Sequence, residues 1–381
     1  MKLQLDLTKE YGLVLEGGGA KGSYQIGAWK ALKEAGVSIK GVSGASVGAL
    51  NGALICMDSL ELAEYIWENI SYSRVMDVDD FLMEQVQNRD FKALDMSLLA
   101  AEARKILKDK GLDITPLREL IAAVIDEEKI RRGSKDLYIT TYSVSDRKLL
   151  TIDVKTLGDG DMGDMLMASA YLPVFKREKL GGRHFLDGGG WNNVPTDALL
   201  EREYKDIIII RIYGLGFDSE KVTEIPEGTR VYHIAPRQSL GGLLQFDKKQ
   251  ARKNMKLGYY DGLKFLYGLE GRWYYLDAPE PEAYYLTRLM EEKEGLRELI
   301  PEELRGRSED RPDESEGYRF DLEVLFPRLA KEWKMKEDWN YKDMYLGILE
   351  NAARSRRIGR FCIYTPEELQ KKIWSKRRSE L

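Results

Sequence analysis

The first 57 residues repeat one pattern twice: a short apolar stretch, a turn rich in small residues, and a stretch with helical periodicity. Residues 11–15 (YGLVL) have the composition of a buried strand, and residues 17–22 (GGGAKG) form a glycine-rich turn. Apolar side chains then recur at helical spacing over residues 23–35. The same order follows in residues 37–57. Consecutive strand–turn–helix units predict parallel strands that are joined by crossover helices.

The remaining sequence predicts further strands, a long helix and a change of composition near residue 270. The predicted strands are residues 137–144, 148–153, 184–186, 206–213 and 230–234, and residues 247–269 have the periodicity of an amphipathic helix. Residues 291–317 are dense in charge and predict a solvated loop, whereas residues 322–381 return to helical patterning. We therefore expect two domains, residues 1–270 and a mostly helical extension of residues 271–381.

Composition narrows the class of protein. The chain has 381 residues and a net charge of −5, which gives no support to nucleic-acid binding. The start, MKLQLDLTKEYG, lacks the apolar core of a signal peptide, and no apolar run is long enough to cross a bilayer. The two cysteines, Cys56 and Cys362, suit a reducing compartment. We expect a cytoplasmic protein.

The glycine-rich turn of residues 17–22 fits the G-x-G-x-x-G pattern of dinucleotide-binding sites. Such sites also use an acidic residue about 20 positions later to hold a ribose. Residues 35–57 contain no aspartate or glutamate. Adjacent glycines at the start of a helix can also present backbone N–H groups to an anion, including an oxyanion. A tight turn without any ligand remains the alternative.

Ser46 lies in a second small-residue turn, G-A-S-V-G, which spans residues 44–48. A predicted strand precedes this turn and a predicted helix follows it. In that context G-x-S-x-G is typical of a nucleophile elbow, in which a strained turn exposes the serine hydroxyl. The alternative is a loop that only reverses the chain. The composition alone does not decide between them.

A nucleophilic serine needs a base. The chain has two histidines, His184 and His233, and both fall in or beside strand-like segments, where a structural role is more common. Asp187 opens a D-G-G-G turn, in which glycines allow close approach to neighbouring backbone. A simple Asx turn is the alternative for this aspartate.

In combination these motifs resemble the patatin-like phospholipase family. The matching segments occur in the family's order and are residues 16–22 (EGGGAKG), 44–48 (GASVG), 168–175 (ASAYLPVF) and 187–189 (DGG). The resemblance is good over residues 10 to about 215 and looser to about 270. It implies a three-layer α/β/α fold with a mainly parallel central sheet.

The resemblance also implies a mechanism. Ser46 and Asp187 would form a catalytic dyad without histidine, and residues Gly17, Gly18 and Gly19 would form an oxyanion hole. The reaction implied is hydrolysis of lipid esters, of the phospholipase A or lysophospholipase kind, through an acyl-enzyme and without a metal or cofactor. Lys21 stands where the family commonly has arginine, and we expect it to order the loop or to contact an anionic headgroup.

Other interpretations stay open. A nucleotide-binding oxidoreductase would explain the first loop alone, and a catalytically idle lipid-binding or scaffold protein would keep the fold. The C-terminal region mixes aromatic and basic residues, which suits either a peripheral membrane contact or a solvated helical cap. The basic and aromatic residues concerned are Arg354, Arg356, Arg357, Lys371, Lys372, Trp374, Lys376, Arg377 and Arg378.

Overall fold

A computed structural model of the chain divides into two compact units. It describes residues 1–88, 104–106, 108, 110–305 and 317–379. One unit is Leu3–Leu266, and the other is Tyr267–Leu381 together with Met1–Lys2. That residues 1–270 and 271–381 are two domains that fold independently stays a prediction.

A seven-stranded sheet forms the centre of the first unit within the described residues. Its order is β4-β3-β2-β1-β6-β7, with β5 also paired to β3. Strands β3, β2, β1, β6 and β7 are parallel to their neighbours in this order, whereas β4 and β5 run antiparallel to β3. The strands are β1 (Glu10–Leu15), β2 (Ser38–Ala45), β3 (Asp136–Ser143), β4 (Lys148–Asp153), β5 (Phe185–Asp187), β6 (Asp206–Ile210) and β7 (Arg230–Ile234). The predicted, mainly parallel sheet is confirmed.

Both faces of this sheet are covered. On one face, Gly52 of helix α2 lies against the side chains of Leu15, Val42 and Leu137. On the other face, Val14 belongs to an apolar cluster with residues of β6 and of the segment around helix α8. The helices of this unit are α1 (Ser23–Glu34), α2 (Val47–Cys56), α3 (Leu60–Glu68), α4 (Asp80–Asn88), α5 (Thr115–Val124), α6 (Glu127–Arg132), α7 (Met162–Ser169), α8 (Asp197–Leu200) and α9 (Lys248–Tyr267). Helices therefore flank a central sheet, as the α/β/α prediction requires.

Two strand ends differ from the sequence prediction, and both differences bear on the site. Strand β2 continues to Ala45 instead of ending at residue 42, so the turn before α2 is confined to Ser46. Strand β6 ends at Ile210 instead of residue 213. Beyond β6 the amides of Ile212 and Tyr213 donate to the Glu16 carboxylate, which draws the chain away from the sheet.

The second unit is mostly helical. Its elements are α10 (Glu282–Glu291), α11 (Lys293–Leu299), α12 (Glu302–Arg305), α13 (Gly317–Phe320), a π-helical turn (Asp321–Leu325), α14 (Phe326–Glu332), α15 (Tyr341–Ser355), α16 (Pro366–Ser379) and the paired strands β8 (Tyr275–Leu276) and β9 (Ile363–Tyr364). Tyr345 and Leu349 of α15 are fully buried in its apolar core. Among the helices of the described residues, none is both long enough and apolar enough to cross a membrane.

The prediction of a solvated loop over residues 291–317 is wrong for α11 and α12. Leu296, Leu299 and Ile300 are buried in the core of the second unit. Leu296 and Leu299 lie on one face of α11, whose other positions are mostly charged, and Ile300 directly follows the helix. The high charge density therefore conceals an amphipathic helix. Residues 306–316 of the predicted loop lie outside the described residues.

Candidate active site

Ser46 occupies a strained turn between β2 and α2. Its backbone has φ 55° and ψ −128°, a conformation that side-chain-bearing residues rarely adopt. The two flanking glycines make the turn possible. A Cβ on Gly44 would lie 2.4 Å from the carbonyl group of Gly48, and one on Gly48 would lie 2.2 Å from the carbonyl oxygen of Leu15. These neighbours are backbone atoms that cannot rotate away, which explains the small residues around the serine.

Ser169 holds this turn in place. The Ser46 N–H donates to the Ser169 hydroxyl at 3.0 Å, and that hydroxyl donates to the Thr140 carbonyl at 2.7 Å. Ser169 is fully buried. One side chain therefore connects the strained serine to strand β3. Ser169 belongs to the matching segment 168–175, but its sequence context predicts no role for it beyond that of a small residue near the end of a helix.

Asp187 is buried beside Ser46. It ends strand β5, and its Oδ1 atom accepts a hydrogen bond of 2.8 Å from the Gly189 amide. Burial raises the pKa of Asp187 to about 6, against the opposing effect of hydrogen bonds from the Ser46 side chain and the Gly189 amide. The fold thus brings together the side chains of Ser46 and Asp187, which are 141 positions apart in the sequence.

The two histidines have other partners. The Nδ1 atom of His184 lies 3.1 Å from the carbonyl oxygen of Glu178. The Nε2 atom of His233 contacts the Glu220 carboxylate, and the His233 side chain is 45 % exposed. Both rings are therefore engaged with groups other than Ser46.

The glycine-rich loop lies directly against Ser46. A Cβ on Gly17 would be 3.2 Å from the Cβ of Ser46. The Gly17 N–H already donates to the Asn193 carbonyl at 3.1 Å. Within the described part of the chain, the N–H groups of Gly18 and Gly19 make no such bond. Gly18 and Gly19 therefore carry the amides of this loop that are available to a ligand.

The buried carboxylate of Glu16 anchors a second loop to the glycine-rich one. It accepts hydrogen bonds from the amides of Ile212, Tyr213 and Gly214 at 2.7, 3.0 and 3.1 Å. It also accepts one from Arg211 Nε at 3.0 Å. The sequence motifs predict no role for Glu16. A charged residue directly after an apolar strand is nevertheless a signal that could have indicated a buried, hydrogen-bonded carboxylate.

Lys21 joins the same two loops. Its Nζ atom donates to the carbonyl oxygen of Tyr213 at 2.5 Å. The ammonium group therefore lies on the loop that follows β6 and connects it to the glycine-rich turn.

An apolar cavity of about 100 Å³ opens at Ser46 and Gly19. Side chains from α3, α5 and the segment before α9 line it, among them Ile66, Trp67, Leu117, Ile121, Val124 and Phe246. An apolar pocket with few polar groups at one end suits a hydrocarbon chain whose reactive group lies at that end.

A mainly parallel α/β sheet that presents a serine on a strand-to-helix turn is an architecture found among serine hydrolases. Residues 13–200 match the family model described as patatin-like phospholipase. This part of the chain belongs to the patatin-like phospholipase family.

Similar curated proteins match only a short part of the chain. Lysophospholipase nte1 of Aspergillus terreus is 53% identical over 51 residues, which are 13% of this chain and 3% of that protein. Neuropathy target esterase sws of Drosophila sechellia is 57% identical over 47 residues, which are 12% of this chain and 3% of that protein. The chain thus matches a small fraction of the length of these relatives.

Two solved structures resemble the chain loosely. VipD from Legionella pneumophila gives a TM-score of 0.42 at 14% identity, covering 97% of this chain and 87% of that one. Full-length ExoU, in complex with SpcU of the Pseudomonas aeruginosa type III secretion system, gives 0.29 at 16% identity, covering 97% and 84%. The fold described above rests on strand order and register in this chain.

Proposed function

We propose that the protein is a serine lipid acyl hydrolase of the phospholipase A or lysophospholipase kind. The observation that carries the proposal is the buried Ser46–Asp187 pair at the end of an apolar cavity. A hydroxyl next to a carboxylate, both shielded from water, is suited to nucleophilic attack on an ester. The family match over residues 13–200 supports this reaction class.

In the first half of the reaction Ser46 Oγ attacks the ester carbonyl carbon while its proton passes to Asp187. The tetrahedral intermediate then expels the alcohol part of the lipid, which takes the proton from Asp187, and the acyl group stays on Ser46. In the second half water attacks the acyl-enzyme and gives a proton to Asp187. The second tetrahedral intermediate then releases the fatty acid as Ser46 Oγ takes that proton back from Asp187. A pKa of about 6 lies closer to neutral pH than the pKa of a free aspartate, which makes the Asp187 carboxylate a better base.

The amides of Gly18 and Gly19 are the donors that we propose for the oxyanion. Gly17 is not proposed as a donor, because its N–H is bonded to the Asn193 carbonyl. Its role is to leave room for Ser46, since it has no side chain. The N-terminus of α2 adds a favourable dipole at the same place. Loss of one oxyanion donor typically raises the barrier by about 3 kcal/mol.

We assign Lys21 to loop ordering. Its hydrogen bond to the Tyr213 carbonyl supports this role over contact with an anionic headgroup, since the bond holds the ammonium group on the neighbouring loop. Because the bond joins the two loops beside Ser46, loss of Lys21 should loosen the proposed oxyanion site without removing any reacting group.

The cavity favours a substrate with a hydrocarbon chain. The name lysophospholipase, carried by one relative, supports a single-chain phospholipid as a candidate. The protein is expected to work in the cytoplasm on a lipid ester, without a cofactor, metal or nucleic acid.

The basic residues near the C-terminus mainly support the second unit. The Arg354 guanidinium lies 4.0 Å from the centre of the Trp273 ring, and Lys372 Nζ lies 4.8 Å from that of Tyr364. Lys376 Nζ donates to the Arg356 carbonyl at 3.0 Å and so helps to end α15. These contacts favour the solvated helical interpretation over a membrane contact. The side chains of Arg377 and Arg378 lie outside the described ones.

A fluorophosphonate probe tests the nucleophile. It should label the wild-type protein and leave Ser46→Ala unlabelled, and hydrolysis of a soluble short-chain ester should disappear in the same variant. Labelling or turnover that persists in Ser46→Ala would contradict the proposal. Absence of both in the wild-type protein would favour the catalytically idle lipid-binding alternative.

A further inference from the structure

The loop that follows β6 exposes three large apolar side chains. Tyr213 is 57% exposed, Leu215 is 77% exposed and Phe217 is 49% exposed. Only glycines separate them, so the stretch Y-G-L-G-F carries no charge. Single exposed apolar residues are common on protein surfaces, but three within five positions form a patch of the kind that marks a binding surface.

The backbone of this loop is fixed on both sides of the proposed active site. At one end Gly214 lies so close to the glycine-rich turn that a Cβ on it would be 1.8 Å from the Gly17 carbonyl oxygen. At the other end the Phe217 N–H donates to the Gly189 carbonyl at 3.0 Å, and the Phe217 carbonyl accepts from the Asn193 N–H at 2.9 Å. The exposed side chains therefore extend from a backbone that is held between the glycine-rich turn and the turn after Asp187.

A fourth side chain extends the patch. Trp191 is 43% exposed, lies two positions after Gly189, and stacks on Tyr142 with ring centres 3.8 Å apart. We call Trp191, Tyr213, Leu215 and Phe217 the apolar rim. Tryptophan and tyrosine in such a position are typical of residues that sit where an apolar phase meets water.

We propose that the apolar rim docks the protein on the surface of a lipid aggregate with neutral headgroups, by inserting these side chains among the lipids. The inference rests on the proposed function, because a lipid ester has to leave its aggregate to reach Ser46. The loop that carries the rim lies against the glycine-rich turn, and Gly19 of that turn lines the apolar cavity. Docking through the rim would therefore shorten the exposure of the acyl chain to water during that transfer.

Local charge argues against an anionic surface as the preferred partner. Arg211, which begins the loop, is paired with the carboxylates of Glu16, Asp218 and Glu220. The neighbouring Lys21 ammonium is bonded to the Tyr213 carbonyl. Two cations, Arg211 and Lys21, thus lie near three carboxylates, so the start of the loop carries no net positive charge, and apolar insertion has to supply the binding.

The size of the rim argues against a second copy of the chain. The four partly exposed side chains of the apolar rim have an accessible surface area on the order of 400–500 Å². A stable protein–protein interface covers about 800 Å² on each partner. The rim is therefore about half the size that a stable dimer needs, whereas shallow insertion into lipid has no such minimum.

The test is co-sedimentation of the full-length chain with neutral phosphatidylcholine vesicles at low and high salt. All proteins carry Ser46→Ala so that the lipid stays intact. Leu215→Ser combined with Phe217→Ser should weaken binding at least about tenfold, because each substitution removes an apolar side chain from lipid. Tyr65→Ser is the matched control: Tyr65 is 58% exposed on α3, and its replacement should leave binding unchanged.

Binding that is unaffected by salt and lost in the double variant supports the apolar rim. Equal binding of the double variant, binding only to anionic vesicles with loss at high salt, or rim-dependent dimers in sedimentation would each overturn it. If circular dichroism shows that the double variant is unfolded, vesicle binding of the single variant Leu215→Ser is measured instead. Weaker binding of that variant supports the apolar rim, and equal binding overturns it. Hydrolysis of a soluble ester is measured separately in the wild-type protein, so its failure with intact vesicle binding would count against the proposed function alone.

Discussion

At the scale of single residues, the proposed catalytic base Asp187 is expected to lower the stability of the fold at neutral pH. Its pKa of about 6 in the folded chain exceeds the ordinary value of 3.8. Between these two pH values the folded state binds a proton that the unfolded chain has released. The contribution of protonated Asp187 to the free energy of unfolding is therefore fully present below about pH 4 and is lost as the pH rises through about 6.

Replacement of Asp187 by asparagine should consequently stabilise the protein at neutral pH. The amide keeps an acceptor for the Gly189 N–H and removes a buried charge, and the shift corresponds to a gain of about 3 kcal/mol in the free energy of unfolding. Esterase activity should be lost in the same variant. Urea unfolding at pH 7 and at pH 4 provides the measurement, and the gain should vanish at the lower pH. A destabilised Asp187→Asn at pH 7 would show that the carboxylate is favoured by the fold.

Ser169 should matter for catalysis although it touches no substrate. Ser169→Ala leaves the Ser46 N–H and the Thr140 carbonyl without their partner, at a cost of about 1–3 kcal/mol. Since the strained turn then loses its connection to β3, kcat should fall more than KM changes. Steady-state kinetics and thermal melts measure both effects.

Ser43→Ala is the control for this prediction. Ser43 is also buried on β2, and its hydroxyl donates to the Pro195 carbonyl at 2.8 Å. It should lose comparable stability and keep kcat. Equal kcat in Ser169→Ala and Ser43→Ala would assign Ser169 a structural role only.

The sequence predicts the candidate site residues, but it does not predict the residues that hold them in place. Ser46 and Asp187 are recognisable because glycines with defined spacing surround them. Glu16 and Ser169 act through hydrogen bonds to backbone atoms that are distant along the chain, and such partners become visible only when the fold brings them together. Leu215 and Phe217 were assigned to no role, because exposure of an apolar residue depends on the tertiary structure.

At the scale of elements, one carboxylate positions an entire loop. Glu16 directly follows β1, and its hydrogen bonds to three successive amides set where the chain leaves β6 and the apolar rim begins. Hydrophobicity alone had predicted a strand that continued to residue 213. The difference arises because the buried carboxylate competes with the neighbouring strand for those amides.

Glu16→Gln should therefore disturb this loop. One acceptor oxygen is replaced by a donor that faces other donors, which predicts a loss of about 3 kcal/mol in the free energy of unfolding and a lower kcat. Glu220→Gln is the comparison, since Glu220 pairs with the same Arg211 and its side chain is more exposed. Denaturant unfolding and ester kinetics of the two variants give the answer. Equal stability of both would refute the anchoring role.

At the scale of the whole molecule, each unit has its own buried core. The sheet of the first unit was predictable because its strand–turn–helix rhythm is local in sequence. The helical character of most of the second unit is predictable from periodicity. Helix α11 is not, because its charge density conceals its apolar face, and the short helix α12 buries no side chain.

Two cores predict two unfolding transitions. Leu13→Ala and Leu349→Ala each remove a fully buried side chain, one from the sheet and one from α15, at a cost of about 2–5 kcal/mol. In scanning calorimetry of the full-length chain, each change should lower a different transition and leave the other in place. A single transition that both substitutions shift would mean that the chain unfolds as one cooperative domain.

The turn around Ser46 also sets limits on engineering. Gly44 and Gly48 are required because a Cβ at either position would clash with backbone atoms. Gly36 is favoured only by its positive φ of +79°, since no atom lies within 4 Å of a Cβ there. In a saturation library, position 36 should accept asparagine, whereas positions 44 and 48 should return glycine alone, with even alanine rejected. Because the space at Gly48 is limited by Leu15 of a different strand, a designer who wishes to reshape the nucleophile turn has to redesign β1 together with it.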